Sequence, residues 1–133
     1  MKNFIYILFI SAISLTLSNA SFAQQDNRWI YVTGSDDIDV YIDKLSVVCD
    51  NSNNYTVWIK QVCKSYCDGV KEAKIRIKYF VGSNQYQHLS LIFFHTDGTN
   101  YKENGKDYSR EDIVPDSLIE GIYDYILGNY SCK

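Results

Sequence analysis

The side chains best suited to chemistry are four cysteines, Cys49, Cys63, Cys67 and Cys132. In an oxidising compartment an even count points to two disulfides, with three possible connectivities. Zinc is the rival, because two closely spaced cysteines with a third nearby can gather a metal. Cys63-x-x-x-Cys67 has no second paired motif, however, and neither His88 nor His95 has ligand spacing to it. Catalysis needs a nucleophile held beside a general base. No serine or cysteine stands in a nucleophile elbow, and a cysteine locked in a disulfide cannot attack. His88 falls inside a strand pattern and reads as a sheet-face residue rather than a base. Asp36, Asp37, Asp39 and Asp43 lack the spacing and terminal glutamate of an EF-hand loop. They read as a solvated turn running into strand-end aspartates. The chain is expected to be non-catalytic, with no metal and no cofactor.

The cations carry more. Lys74, Arg76 and Lys78 alternate with Ala73, Ile75, Ile77 and Tyr79, so a strand would place the cations on one face and the apolar set on the other. Lys71 precedes them, and Lys60 and Lys64 lie on or just past the preceding strand. Such a patch steers acidic partners and is screened by salt. A plain solvent-facing sheet gives the same pattern, and lysine there also discourages edge pairing. By alternation Phe80 shares the cationic face, where it is expected to be an exposed aromatic beside arginine and a contact hot spot. Tyr55, Trp58, Tyr79, Tyr86, Phe93, Phe94, Tyr123 and Tyr125 could extend a carbohydrate or protein contact surface, with Phe94 the candidate beside Phe80, but many of these rings are needed to fill the core under the helix.

These residues need elements to hold them. Trp29–Thr33, Ile38–Ile42, Leu45–Cys49 and Tyr55–Val62 are short runs rich in β-branched and aromatic residues, separated by turn chemistry. Lys71–Val81 and Gln85–His95 follow as longer strands, the second with Leu89, Leu91 and Phe93 on one face. Asp97-Gly98 signals a hairpin into a weak strand near Thr99–Lys102. Short turns between such strands make an antiparallel meander. The period then changes. Ser117-Leu118-Ile119-Glu120 is a capping box, and Leu118, Ile119, Ile122, Tyr123, Ile126 and Leu127 recur at helical spacing before Gly128, which suits the C′ position. The apolar stripe of that helix needs a partner, and the sheet is the only surface large enough.

The beginning of the chain sets the compartment. Met1-Lys2-Asn3 is followed by about 14 uncharged apolar residues from Phe4 to Leu17, then by Ser21-Phe22-Ala23 and abruptly polar Gln24-Gln25-Asp26. That is the order of a cleavable signal peptide, residues 1–23, and the run is too short to span a bilayer well. No cysteine marks the cleavage point, so no lipid anchor is expected, and the mature chain, residues 24–133, is expected to be one exported domain without a transmembrane segment. Lys2 leaves with the leader, so 12 cations face 16 carboxylates and the mature net charge is −4. There is no global basic excess and no nucleic-acid motif, so nucleic acid is not an expected partner.

The order of signals also resembles a known family. An early Trp29, the Ser35-Asp36-Asp37 turn, Val40-Tyr41-Ile42-Asp43, Val57-Trp58-Ile59-Lys60, and Val114-Pro115-Asp116-Ser117 leading a glutamate-containing helix toward Cys132 are together similar to the surface-adhesin protein E family of Gram-negative bacteria. The likeness runs from Trp29 to Cys132. It implies an α+β fold: an antiparallel sheet of about six strands with one C-terminal helix across its concave face, held by a disulfide. Where that family carries its two bridging cysteines this chain has Val81 and Leu127. Cys132 is then expected to tether the helix to the sheet region through Cys63 or Cys49. The resemblance implies a surface adhesin that binds a host matrix protein or glycan, with Lys60, Lys71, Lys74, Arg76, Lys78 and Phe80 as the contact patch. The alternative is a periplasmic inhibitor or immunity-type protein that plugs an enzyme or toxin. The location follows in kind: periplasm, cell surface or medium.

Overall fold

The computed structural model describes residues 27–104 and 108–132. The expected signal peptide, residues 1–23, lies outside the described residues. The described residues form eight strands, one α-helix and a single 3-10 turn (Val81–Ser83): β1 (Trp29–Gly34), β2 (Ile38–Asp43), β3 (Val48–Cys49), β4 (Tyr55–Cys63), β5 (Val70–Phe80), β6 (Gln85–His95), β7 (Asn100–Asn104), β8 (Glu111–Asp112) and α1 (Leu118–Asn129). All pairings are antiparallel, and the main path across the sheet is β1-β2-β4-β5-β6-β7. This is the expected six-stranded meander with two additions. β3 pairs with the beginning of β4 beyond the end of β2, and β8 pairs with the beginning of β6 beyond the end of β7. The expected strand Leu45–Cys49 therefore shrinks to two residues. Ser46 instead makes a turn, its hydroxyl donating to the Asp43 carbonyl and accepting from the Trp58 amide.

Alternation divides each strand between two faces. On one face Val40, Ile42, Val57, Ile59, Ile77 and Tyr79 are sealed from water, and Ile122 and Ile126 of α1 are sealed against them. Burying each such side chain contributes about 1.5–3 kcal/mol. The register stacks them in rows, with Ile42 beside Ile59, Ile59 beside Ile75, and Val57 beside Ile77. Tyr79 stacks on Tyr123 of the helix with ring centroids 5.5 Å apart, and Tyr55 donates to the Tyr130 carbonyl at 2.9 Å.

The helix begins as its sequence dictates. Ser117 caps it, its hydroxyl accepting from the Glu120 amide at 3.2 Å, and the Glu120 carboxylate accepts from the Asp116 amide at 2.7 Å. Its end differs from expectation. Helical hydrogen bonding runs on to Asn129, with the Tyr130 amide bonding the Ile126 carbonyl, so Gly128 sits inside the last turn rather than at C′. Beyond it Cys132 is bridged to Cys49 of β3, their Cα atoms 5.5 Å apart. Cys63 is bridged to Cys67 across the loop before β5.

One register shift matters for β6. Arg76 pairs with Ser90 but Ile77 with His88, so Leu89 is the extra residue of a β-bulge. Leu91 and Phe93 pack toward the core as expected, whereas Leu89 does not continue their row, and His88 and Tyr86 take its place. Asp97-Gly98 turns the hairpin into β7, with Gly98 at φ +87° and the His95 amide bonded to the Thr99 carbonyl.

Candidate functional site

The face turned away from the helix gathers charge and aromatic rings. Lys60 of β4 stands opposite Tyr41 of β2 on one side and Lys74 of β5 on the other. Two like charges directly opposite repel. Rings and carboxylates offset this. The Lys60 ammonium lies 4.9 Å from the ring centres of both Trp29 and Tyr41, and that of Lys74 lies 5.0 Å from Phe94 and 5.9 Å from Trp29. Each cation over a ring face at such distances contributes about 0.5–1 kcal/mol where water still reaches it. Lys74 also pairs with Glu72 at 3.5 Å. One row along, Trp58 stands opposite Arg76, and one further Thr56 stands opposite Lys78. Lys78 pairs with Asp50 at 2.8 Å and lies 5.4 Å from the Phe80 ring centre. That ammonium, helped by the Asn54 amide, holds the Asp50 carboxyl well below the usual carboxylate range.

Several expectations change here. Phe80 shares this face, but it is only 8% exposed rather than an open aromatic. The Arg110 guanidinium covers it, 3.7 Å from the ring centre, with Lys78 beside it. Lys71 takes the extra position of a second bulge, between the pairs Val70–His95 and Glu72–Phe94, and stands exposed at the strand's start. Lys64 turns to Asp39 at 3.0 Å. Lys60, Lys74, Arg76 and Lys78 are the four expected cations that the register brings together.

Beside them lies a groove of about 340 Å³ lined by Arg28, Trp29, Asp43, Trp58, Lys74 and Ile92. Asp43 is buried in it, accepting from Arg28 and from the Leu45 amide. Removing Arg28 would strand a carboxylate in a site poor in water, which is costly. Arg28, Trp29, Asp43 and Ile92 were missed by sequence reasoning. Alternation puts Trp29 with Tyr31 and Ile92 with Phe94, but only the register shows which strands lie alongside. A second hollow, about 170 Å³, opens on the helix side between the Cys63–Cys67 bridge and Phe93; Glu72 is its one charged lining residue.

His88 lies on the helix side, edge-on to Tyr86 and Tyr108, and burial lowers its pKa while Glu111 opposes this. Tyr86 donates to Glu111 at 2.8 Å, and burial with that bond pushes its phenol up to about 12.

Fold and site together define a class: a small α+β domain, one face of its antiparallel sheet closed by a C-terminal helix and the other left as an open layer of cations and rings. Two solved structures share this fold, the structure of Haemophilus influenzae protein E and the crystal structure of protein E from non-typeable Haemophilus influenzae. They superpose with TM-scores of 0.54 and 0.53 at 14% identity, covering 78% of this chain and 86% and 78% of theirs. No protein-family model and no curated protein sequence matches the chain. Among the described residues no helix is long and apolar enough to cross a membrane.

Proposed function

We propose that this chain is an exported, non-catalytic binding module of the surface-adhesin protein E type, which holds a protein or glycan partner on the helix-free face of its sheet. The observation that carries this is the cation–aromatic layer itself. Lys60, Lys74 and Lys78 are half-buried yet charged, each laid over a ring, so their side chains are ordered before any partner arrives. Pre-ordering lowers the entropy lost on binding. The two disulfides suit an oxidising compartment. The fold shared with protein E agrees with the role, and the residues brought together offer an acidic partner a complementary surface.

The test has two parts. Surface protease shaving of the native organism should remove the protein from intact cells, and the purified protein should bind immobilised matrix glycoprotein. Reversing charge with Lys74→Glu and Arg76→Glu together should weaken that binding by about tenfold or more, with a steep salt dependence. Confinement to the periplasm would overturn the adhesin role. Pull-down of an envelope enzyme or toxin would then establish the inhibitor instead.

A further inference from the structure

The helix-free face holds one indole that the cations leave uncovered. Trp29 is overlain by Lys60 and Lys74. Trp58 lines the same groove, is half-buried, and has no ring or cation stacked on it among the described residues. Directly across the ladder from it stands Arg76, exposed and in no ion pair among the described residues. Lys74 lines the groove one row away. The groove's own carboxylate, Asp43, is committed to Arg28 and the Leu45 amide, so it presents little net negative charge.

We propose that this groove is a subsite for an acidic saccharide: a sugar ring lies on Trp58, and its carboxylate or sulfate is held by Arg76 and Lys74. This deepens the binding-module assignment of the same face and rests on it. Three features select the ligand. An indole face is flat and rich in π electrons, and the C–H groups on one side of a pyranose ring carry the complementary partial charge. A guanidinium offers a planar fork of donors that matches a carboxylate or sulfate, while a lysine adds a point charge. Finally, Trp58 and Arg76 stand on β4 and β5, interior strands whose backbone groups are used by the ladder. A peptide laid here would find no main-chain partners, whereas a sugar needs only side chains. At about 340 Å³ the groove is at the small end of ligand sites, a size for a sugar unit rather than a protein surface.

Calorimetric titration of the purified disulfide-bonded protein with uronic-acid or sulfated oligosaccharides, a readout that survives loss of the indole, tests this directly. Saturable binding is expected, weakened about tenfold by Trp58→Ala, less by Trp58→Phe, and about tenfold by Arg76→Glu. Arg76 is exposed, so the last variant should keep its thermal melt and separates lost binding from lost folding. A neutral oligosaccharide of equal length binding as tightly would overturn the inference. So would poly-glutamate binding that Trp58→Ala leaves unchanged, or the absence of any saccharide binding. If matrix glycoprotein binding persists and still depends on Lys74 and Arg76, the saccharide subsite alone is wrong. If that binding is also absent, the wider binding role of the face falls with it.

Discussion

On one side of β5, Ile77 and Tyr79 are sealed beneath the helix; one residue along, Lys78 reaches water, held between Asp50 and the ring of Phe80. The same strand builds both surfaces, and the two are held by different forces. The helix side is cohesive because apolar area leaves water, a contribution that salt barely touches. The open side holds its shape through cation–ring contacts and ion pairs, each weak in water and screened by salt. A single strand can thus supply both the stability of the domain and a pre-ordered charged surface. The division of labour also says where mutations should hurt folding and where they should hurt binding alone.

The contrast is tested most strongly by truncating one side chain from each face. Ile77→Ala opens a cavity where nothing is exposed and should cost about 2–5 kcal/mol in urea unfolding. Lys78→Ala next to it should cost no more than about 1 kcal/mol, and 1 M salt should erase most of that. Equal losses at the two positions would break the division between the faces.

The two disulfides sharpen it further. Cys49–Cys132 spans 83 residues and ties the chain beyond the helix to β3, whereas Cys63–Cys67 spans 4. Replacing the first pair by serine should cost about 2–4 kcal/mol, with early loss of amide protection in the helix; replacing the second should cost less. Hydrogen exchange followed residue by residue checks both.

The smallest effect concerns pH. The folded pKa of His88 lies below its ordinary value of 6.5, because burial disfavours the charged ring. Between the two values the unfolded chain binds more protons than the folded one, so stability is full above pH 6.5 and declines as pH falls. His88→Gln should flatten this acid limb of the stability profile. An unchanged limb would show that the helix side does not sense pH through this ring.

The alternation of Ala73, Ile75, Ile77 and Tyr79 with Lys74, Arg76 and Lys78 was enough to foresee a two-faced strand, because side-chain direction in a strand has period two. The capping box at Ser117 and the hairpin at Asp97-Gly98 were equally legible, since both depend on near neighbours. Everything that depended on which strand lies beside which was not. Phe80 shares the cationic face as alternation requires, yet Arg110, thirty residues further along, covers it. The bulge at Leu89 shifts β6 by one place and brings His88 to the helix side, a change invisible in a local pattern of apolar residues. Cys132 could reach several partners in sequence; packing α1 against the sheet brings Cys49 to it. The groove between Trp29 and Trp58 exists only because β2 separates β1 from β4 and places Asp43 between them. Local periodicity and turn chemistry therefore determined most of the elements and, away from the bulge at Leu89, their faces. The tertiary structure alone decided which side chains meet, because register and packing are set by contacts between residues far apart in the chain.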